Sequence, residues 1–335
     1  MSLASIQKIT NIRVHPNADK LELATVLGWQ IVVEKGLYRI GDFAIFVEID
    51  TIVPDKPEFE FLRNKNFRIK TIKLRGEISQ GIVFPINTFF WPEGTEFVEG
   101  LDITNILGIK KYEKPIPPAM RGVMRGNFSG FVPKTDETRI QSVPDVLCEL
   151  KNVVCYSTVK MDGTSATYII KDGDFQVCSR NISFKLTDEN KGNIYVELGK
   201  KYDLENKMKS LGRNIAIQGE VCGPGIQKNR MNLSEIDLFV FNVYDIDNNC
   251  YLDLGEMGDI VNNFELKMVP LVEVFVFDFK SIGDILKYAE GNYNGTNNRR
   301  EGIVIRPIKE MHSHALKGRM SFKAVNNQYL LHDEK

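Results

Sequence analysis

In the first hundred residues, apolar and polar side chains alternate in short runs that turn-forming residues interrupt. Leu21 to Val26, Gln30 to Val33 and Phe43 to Ile49 are rich in β-branched and aromatic residues, and Gly28, Gly36 and Gly41 punctuate them. Runs of this length and composition predict strands. A further strand pair is expected over Phe67 to Leu74 and Gly81 to Phe84. About five strands in so short a span suit a small barrel, and an OB-fold is the expectation for residues 1–108. Between 109 and 129 both periodicities fade around Lys114-Pro115-Ile116-Pro117-Pro118 and the glycines at 122 and 126, which predicts a linker. From 130 to 335 strands and helices mix. Thr158 to Ile170, a turn at Asp172-Gly173 and Phe175 to Ser179 read as a hairpin. Ile194, Leu198, Tyr202, Met208 and Leu211 recur at helical spacing with Gly212 as a stop, and Ser281 is placed to cap a helix over 282–289. The expected class is α+β: a barrel followed by a domain of antiparallel sheets with flanking helices.

Composition narrows the function. The 335 residues are 43% apolar and 26% charged, which excludes disordered, collagen-like and disulfide-scaffold classes. Lys and Arg number 43 against 44 Asp and Glu, so a nucleic-acid partner must be met by a local patch, not by bulk charge. Arg63, Lys65, Arg68, Lys70, Lys73 and Arg75 offer such a patch, six cations in thirteen residues with no acid between them. They could track phosphates, with Phe67 stacking on a base; the alternative is an edge strand guarded by charge. No apolar run approaches the ~20 residues of a membrane span, and the N-terminus lacks a signal-peptide core. Five cysteines without a Cys-x-x-Cys point to free thiols in a reducing interior, cytoplasmic or nuclear.

The chemistry-bearing residues lie in the second part. Lys160 ends a strand-like run, Asp162 follows, and Gly163 lets backbone approach a ligand. Glu220 and Glu301 each stand at the edge of an apolar strand, and Lys323 stands alone among apolar neighbours. Cations bind phosphates and carboxylates hold magnesium, so this set suggests a nucleotide-and-metal site. Singly, each residue has an ordinary reading as a solvated strand end, a surface carboxylate or, for Phe239 and Phe241, core. Asp245, Asp247, Asn249, Asp253 and Glu256 fall at EF-hand offsets, but Cys250 stands where that loop needs glycine. His312 and His314 have no cysteine nearby and read as surface.

Together the motifs carry a resemblance. Lys-x-Asp-Gly at 160–163, Gly-Glu at 219–220, Phe239-Val240-Phe241-Asn242-Val243, Glu-Gly-Ile-Val-Ile-Arg at 301–306 and the Lys323 segment occur in the order of the covalent nucleotidyltransferase motifs. Within that superfamily the chain resembles ATP-dependent RNA ligases that carry an N-terminal OB domain and join 3′-OH to 5′-phosphate ends. Phe131 to Gln141 resembles the lead-in of RNA ligase domains, Cys222 to Gln227 their segment after the first glutamate, and His15 to Leu21 the front of OB modules that bind tRNA.

The resemblance implies roles. Lys160 would take AMP from ATP, Lys323 would contact the α-phosphate, and Glu301 would hold water on a Mg²⁺ or Mn²⁺ ion. Asp162 would fix the lysine loop and is a second metal candidate. Glu220 would bind a ribose hydroxyl, Phe241 would stack on adenine, and Arg180 would handle the nucleotide or the incoming 5′-phosphate, with Gly163 completing the nucleotide set. An adjacent cation, magnesium or Lys323, is expected to lower the Lys160 pKa from its ordinary ~10.4. The partner implied is RNA or an RNA-containing nicked duplex, with no membrane, and a monomer is expected. Many relatives carry a second lysine where this chain has Val325, and Lys317 or Arg319 could replace it. Capping enzymes and DNA ligases would need a trailing OB domain, for which the twelve residues after Lys323 leave no room. The alternative from another class is a non-catalytic RNA-binding protein, which should have lost Lys160, Glu301 or Lys323.

Overall fold

A computed structural model describes residues 2–113 and 123–333. The chain divides into two units, one of residues 1–115 with 141–144 and 330–335, the other of 116–140 with 145–329. In the first, β1 (Ala4–Val14), β2 (Leu21–Val26), β3 (Trp29–Glu34), β4 (Phe43–Val47) and β9 (Ile82–Pro85) form an antiparallel sheet in the order β3-β2-β1-β4-β9. The long β1 pairs with β4 through its first half and with β2 through its second, and an irregularity between Ile9 and Asn11 marks the exchange. Such bulges turn the corners of small barrels. Trp29, Phe46, Ile6 and Ile45 are fully buried inside, each worth about 1.5–3 kcal/mol or somewhat more by the area removed from water.

β5 (Thr51–Ile52), β6 (Arg68–Ile69) and β10 (Lys110–Lys111) make a small second sheet, and β7 (Ile72–Leu74) and β8 (Glu77–Ser79) make a hairpin. The sequence pattern ran β6 and β7 together as one strand. The break comes at Thr71, whose buried hydroxyl accepts a hydrogen bond from Gln80 at 3.2 Å. The break also scatters the expected basic run. Arg63 is held by Asp55 at 2.6 Å and Glu60 at 2.7 Å, and its guanidinium covers the Phe67 ring. Arg68 faces Asp50 at 3.4 Å and stacks on Tyr112. Phe67 is half-buried at φ +56°, and the Arg63 guanidinium covers one face of its ring.

The second unit is built on two sheets. The larger joins β11 (Met124–Asn127), β14 (Thr164–Lys171), β15 (Asp174–Ser179), β16 (Ile182–Phe184), β17 (Ile215–Cys222), β18 (Asp237–Asp245), β19 (Cys250–Tyr251) and β20 (Lys267–Met268). The smaller runs β12-β25-β22-β13-β21, from β12 (Thr138–Arg139), β13 (Val154–Lys160), β21 (Leu271–Val276), β22 (Gly302–Pro307) and β25 (Phe322–Val325). Between them in sequence lies the short pair β23 (His312–Ser313) and β24 (Gly318–Arg319). Asn193 and Ser281 cap helices over Ile194–Lys201 and Ile282–Tyr288. The helical pattern read as continuous to Leu211 is two helices, because Asp203 turns left-handed at φ +51° before Leu204–Ser210. These helices pack Tyr195, Val196, Leu198, Leu204 and Met208 against the larger sheet.

The expected linker is shorter than its pattern. Lys110–Lys111 pairs with β5 and Met124–Asn127 with β16, while residues 114–122 lie outside the described part. No described helix is long and apolar enough to cross a membrane, and all five cysteines are free thiols.

Candidate active site

β13 ends on Lys160, directly opposite Gly302 of β22, with Glu301 immediately before that glycine. The Lys160 Nζ lies 2.7 Å from the Glu301 Oε1, and both side chains are mostly covered. Lys323 faces Val304 on the other side of β22, and Arg139 of β12 lies beside Lys323 in parallel register. A Cβ at Gly302 would run into the Ala324 carbonyl and Val325 Cα, so glycine is what permits β22 and β25 to approach here. Tyr293, buried, ties the two key residues together. Its hydroxyl donates to the Lys160 carbonyl and accepts from the Glu301 amide, both at 3.2 Å.

The turn Met161-Asp162-Gly163 carries the chain from the smaller sheet into the larger. A Cβ at Gly163 would meet the Val221 carbonyl, the Cys222 Sγ and the Glu220 Cγ, so only glycine lets the turn rest on β17. Asp162 is buried with Arg230 at 3.4 Å. Glu220 stands opposite Ser165 and Phe239 in the larger sheet. Phe241 falls where the β17–β18 register slips, an extra residue between Val240 and Asn242. It packs half-buried against Met161, Cys222, Phe239 and Val269, an apolar floor next to the lysine. The Arg306 Nη1 donates to the Phe241 carbonyl at 2.8 Å while its other nitrogens reach Glu137 and Ser321. The Arg319 Nη1 donates to the Asn242 Oδ1 at 2.7 Å, and Asn242 donates to Gln218 at 3.1 Å.

Burial and charge set the protonation of the cluster. Burial pulls Lys160 down, but Glu301 and Glu220 outweigh it and hold the amine above its ordinary value. The expected lowering is therefore reversed in the protein alone, because its nearest neighbours are carboxylates. Lys323 goes the other way, pushed down to about 7 by burial and then by Arg139 and Lys160. Burial, with Glu301 and Asp162 nearby, pushes Glu220 up to about 8 against the pull of Lys160. Cations and carboxylates are thus crowded into one partly buried cluster, an arrangement that suits a phosphorylated ligand arriving with a metal ion.

A family model described as RNA ligase matches residues 154–325, and one described as an OB-fold domain matches residues 3–86. The chain belongs to the RNA ligase family. Solved structures agree over its length. A mutant Naegleria gruberi RNA ligase with ATP and Mn is similar at 33% identity over 98% of each chain, with a TM-score of 0.87. Another mutant of that enzyme, with AMP and Mn, is 32% identical over 98% of each chain at 0.87, and the enzyme with PPi is 33% identical over the same shares at 0.86. Comparison with curated proteins gives no match.

The ligase brings Lys160, Asp162, Gly163, Glu220, Phe241, Glu301 and Lys323 to one place from five separate strands and their edges. Arg180 stands just past β15, half-exposed, with Asp136 at 2.8 Å. Arg319 is engaged by Glu310, Asn242 and the Tyr251 ring, and Lys317 lies exposed in the β23–β24 turn. Neither is drawn into the cluster. Arg139 is, and sequence reasoning missed it. Its one signal was its place in the lead-in segment; only the parallel pairing with β25 sets it beside Lys323. Tyr293 was missed for the same reason, since it reaches Lys160 across 133 residues of sequence. Among the described residues no group of three or more His, Cys, Asp or Glu side chains forms a ready-made metal cage.

Proposed function

We propose that this ligase seals RNA 3′-OH and 5′-phosphate ends in three steps driven by ATP. The Lys160 amine attacks the α-phosphorus, forming an N–P bond as the bond to the β-phosphate oxygen breaks and pyrophosphate leaves. A 5′-phosphate oxygen of the RNA then attacks the same phosphorus, lysine departs, and the 5′ end carries AMP. The 3′-OH finally attacks the 5′-phosphorus, AMP leaves and the strand is closed. The observation that carries this reading is Lys160 at 2.7 Å from Glu301 in one charge cluster with Lys323 and Glu220. A non-catalytic binding protein has no use for a mostly covered lysine held against Glu301 with Lys323 close by.

The residues divide the work. Lys323 and Arg139 supply the charge that steadies the α-phosphate as it becomes crowded with negative oxygen. Phe241 and the apolar floor receive the base, Glu220 the ribose, and Arg180 the phosphate of the incoming strand. Asp162 holds the turn of Lys160 through Arg230. One or two carboxylates, with phosphates and water completing the shell, are what Mg²⁺ or Mn²⁺ takes, and Glu301 fits that need. Bound there, the cation would offset the negative charge that keeps Lys160 protonated. Asp162 is the weaker candidate for the metal because Arg230 already faces it.

Incubation with α-labelled ATP or GTP and either metal, followed by denaturing electrophoresis, tests the proposal. Label should stay on the protein with ATP and be absent in Lys160→Met. Lack of label with both nucleotides would overturn it.

A further inference from the structure

The β7–β8 hairpin of the first unit is exposed at its tip yet firmly held. Arg75 and Gly76, its two central residues, both have positive φ, the geometry of the tight two-residue turn that matches strand twist. Four side chains pin it to the barrel. His15 bonds the Leu74 carbonyl at 3.2 Å, and Asn17 donates to the Arg75 carbonyl at 3.0 Å. Gln30 donates to the Ile78 carbonyl at 2.9 Å, and the Ser79 hydroxyl accepts from the Val32 amide at 3.0 Å. Gln30 in turn accepts from Arg13 at 2.7 Å, which seats Arg13 at the base of the hairpin although sixty residues separate them in sequence.

Arg13, Lys73 and Arg75 are exposed, and no carboxylate among the described residues lies within ion-pair distance of any of them. The hairpin's own acid, Glu77, takes a hydrogen bond from Gln30. The contrast with Arg63 is sharp, since two carboxylates already neutralise it. Exposed apolar side chains, Val14 and Leu74, flank the cations. Rigid, uncompensated positive charge beside exposed apolar surface suits a sugar–phosphate backbone: the cations meet phosphates, and little ordering entropy remains to be lost on contact.

We infer that the β7–β8 hairpin, with Arg13 at its base, is where the first unit grips the phosphate backbone of the nucleic-acid substrate. This rests on the ligase reading above and narrows the six-cation run to the two members carried on the pinned hairpin, Lys73 and Arg75, joined by one from outside it.

The test uses the full chain and a fluorescein-labelled nicked duplex with RNA on its 3′-OH side, measuring anisotropy from 50 to 200 mM salt. Each phosphate contact contributes ~0.9 to the slope of log affinity against log salt, so Lys73→Gln/Arg75→Gln should lower the slope by about 1.8. Its affinity at 50 mM salt should fall on the order of 10- to 100-fold. Self-labelling with AMP should be unchanged, and Arg63→Gln should move the slope much less. An unchanged slope in the double variant, or an equal loss from Arg63→Gln, overturns the inference. Absence of AMP labelling in the wild type would instead overturn the ligase reading, while the salt slopes would still judge the hairpin.

Discussion

Lys160 carries an amine whose neighbours set its charge, and each neighbour yields a separate expectation. Lys160→Met should abolish the protein–AMP adduct yet still seal strands that already bear a 5′-AMP, since that last step needs positioning and electrostatics, not the amine. Residual adduct in the mutant would move the nucleophile elsewhere. Glu301 presents opposing effects. It holds the proton on Lys160 in the protein alone, so its removal by itself should ease deprotonation. If Glu301→Ala nevertheless labels itself orders of magnitude more slowly, with a raised metal requirement, the loss is one of metal binding. Labelling as fast as wild type would reduce Glu301 to a counter-charge. Lys323 adds a pH signature. With its pKa pushed down to about 7, it is charged below that pH and neutral above, and a bound phosphate favours the charged form. Metal-free AMP should therefore bind more weakly as pH rises from 6 to 8, and Lys323→Met should flatten that change in calorimetry.

At the scale of elements, two features place side chains that no local pattern could place. The slip between β17 and β18 puts Phe241 at the apolar floor, and Arg306 and Arg319 hold the slipped segment from the neighbouring sheet and its connection. Arg306 is fully buried against Glu137, and breaking such a pair costs about 3–5 kcal/mol, so its loss would unfold as much as misplace. Arg319 is the better probe. Arg319→Met should raise KM for ATP several-fold with kcat for self-labelling nearly kept; an unchanged KM would separate the bulge from nucleotide binding. Tyr293 bridges β13 and the start of β22. Removing its hydroxyl loosens Lys160 against Glu301, and small misplacements of reacting groups are costly. Tyr293→Phe should therefore slow adduct formation by roughly 10-fold, about 1.4 kcal/mol, with little change in melting temperature. A large fall in melting temperature at an unchanged rate would make it a packing residue.

At the scale of the molecule, the first unit should matter little for reaction with ATP, since Lys160, Glu220, Glu301 and Lys323 all belong to the second. A fragment beginning near Val123, which keeps β11 on the larger sheet, should label itself with AMP but seal nicks poorly. Sealing equal to that of the full chain, with the same salt dependence, would make the first unit a targeting or folding module. The fragment leaves Gln141–Pro144, grouped with the first unit, without the Gly28 amide that bonds the Gln141 carbonyl, so some loss of stability is expected.

What the sequence determined by itself was everything that repeats locally or stands in order along the chain. Alternation announced the strands, the caps Ser281 and Gly163's freedom from a side chain were readable in place, and five motifs in order named the family. Apolar burial works through such short-range patterns, so they survive in one dimension. Pairing does not. The parallel β12–β25 contact that brings Arg139 to Lys323, and the hydroxyl of Tyr293 on Lys160, join residues whose separation in sequence says nothing about distance. The charge on Lys160 is likewise a tertiary property: the expected lowering failed because two carboxylates, 60 and 141 positions away in sequence, together outweigh burial and the Arg139 cation.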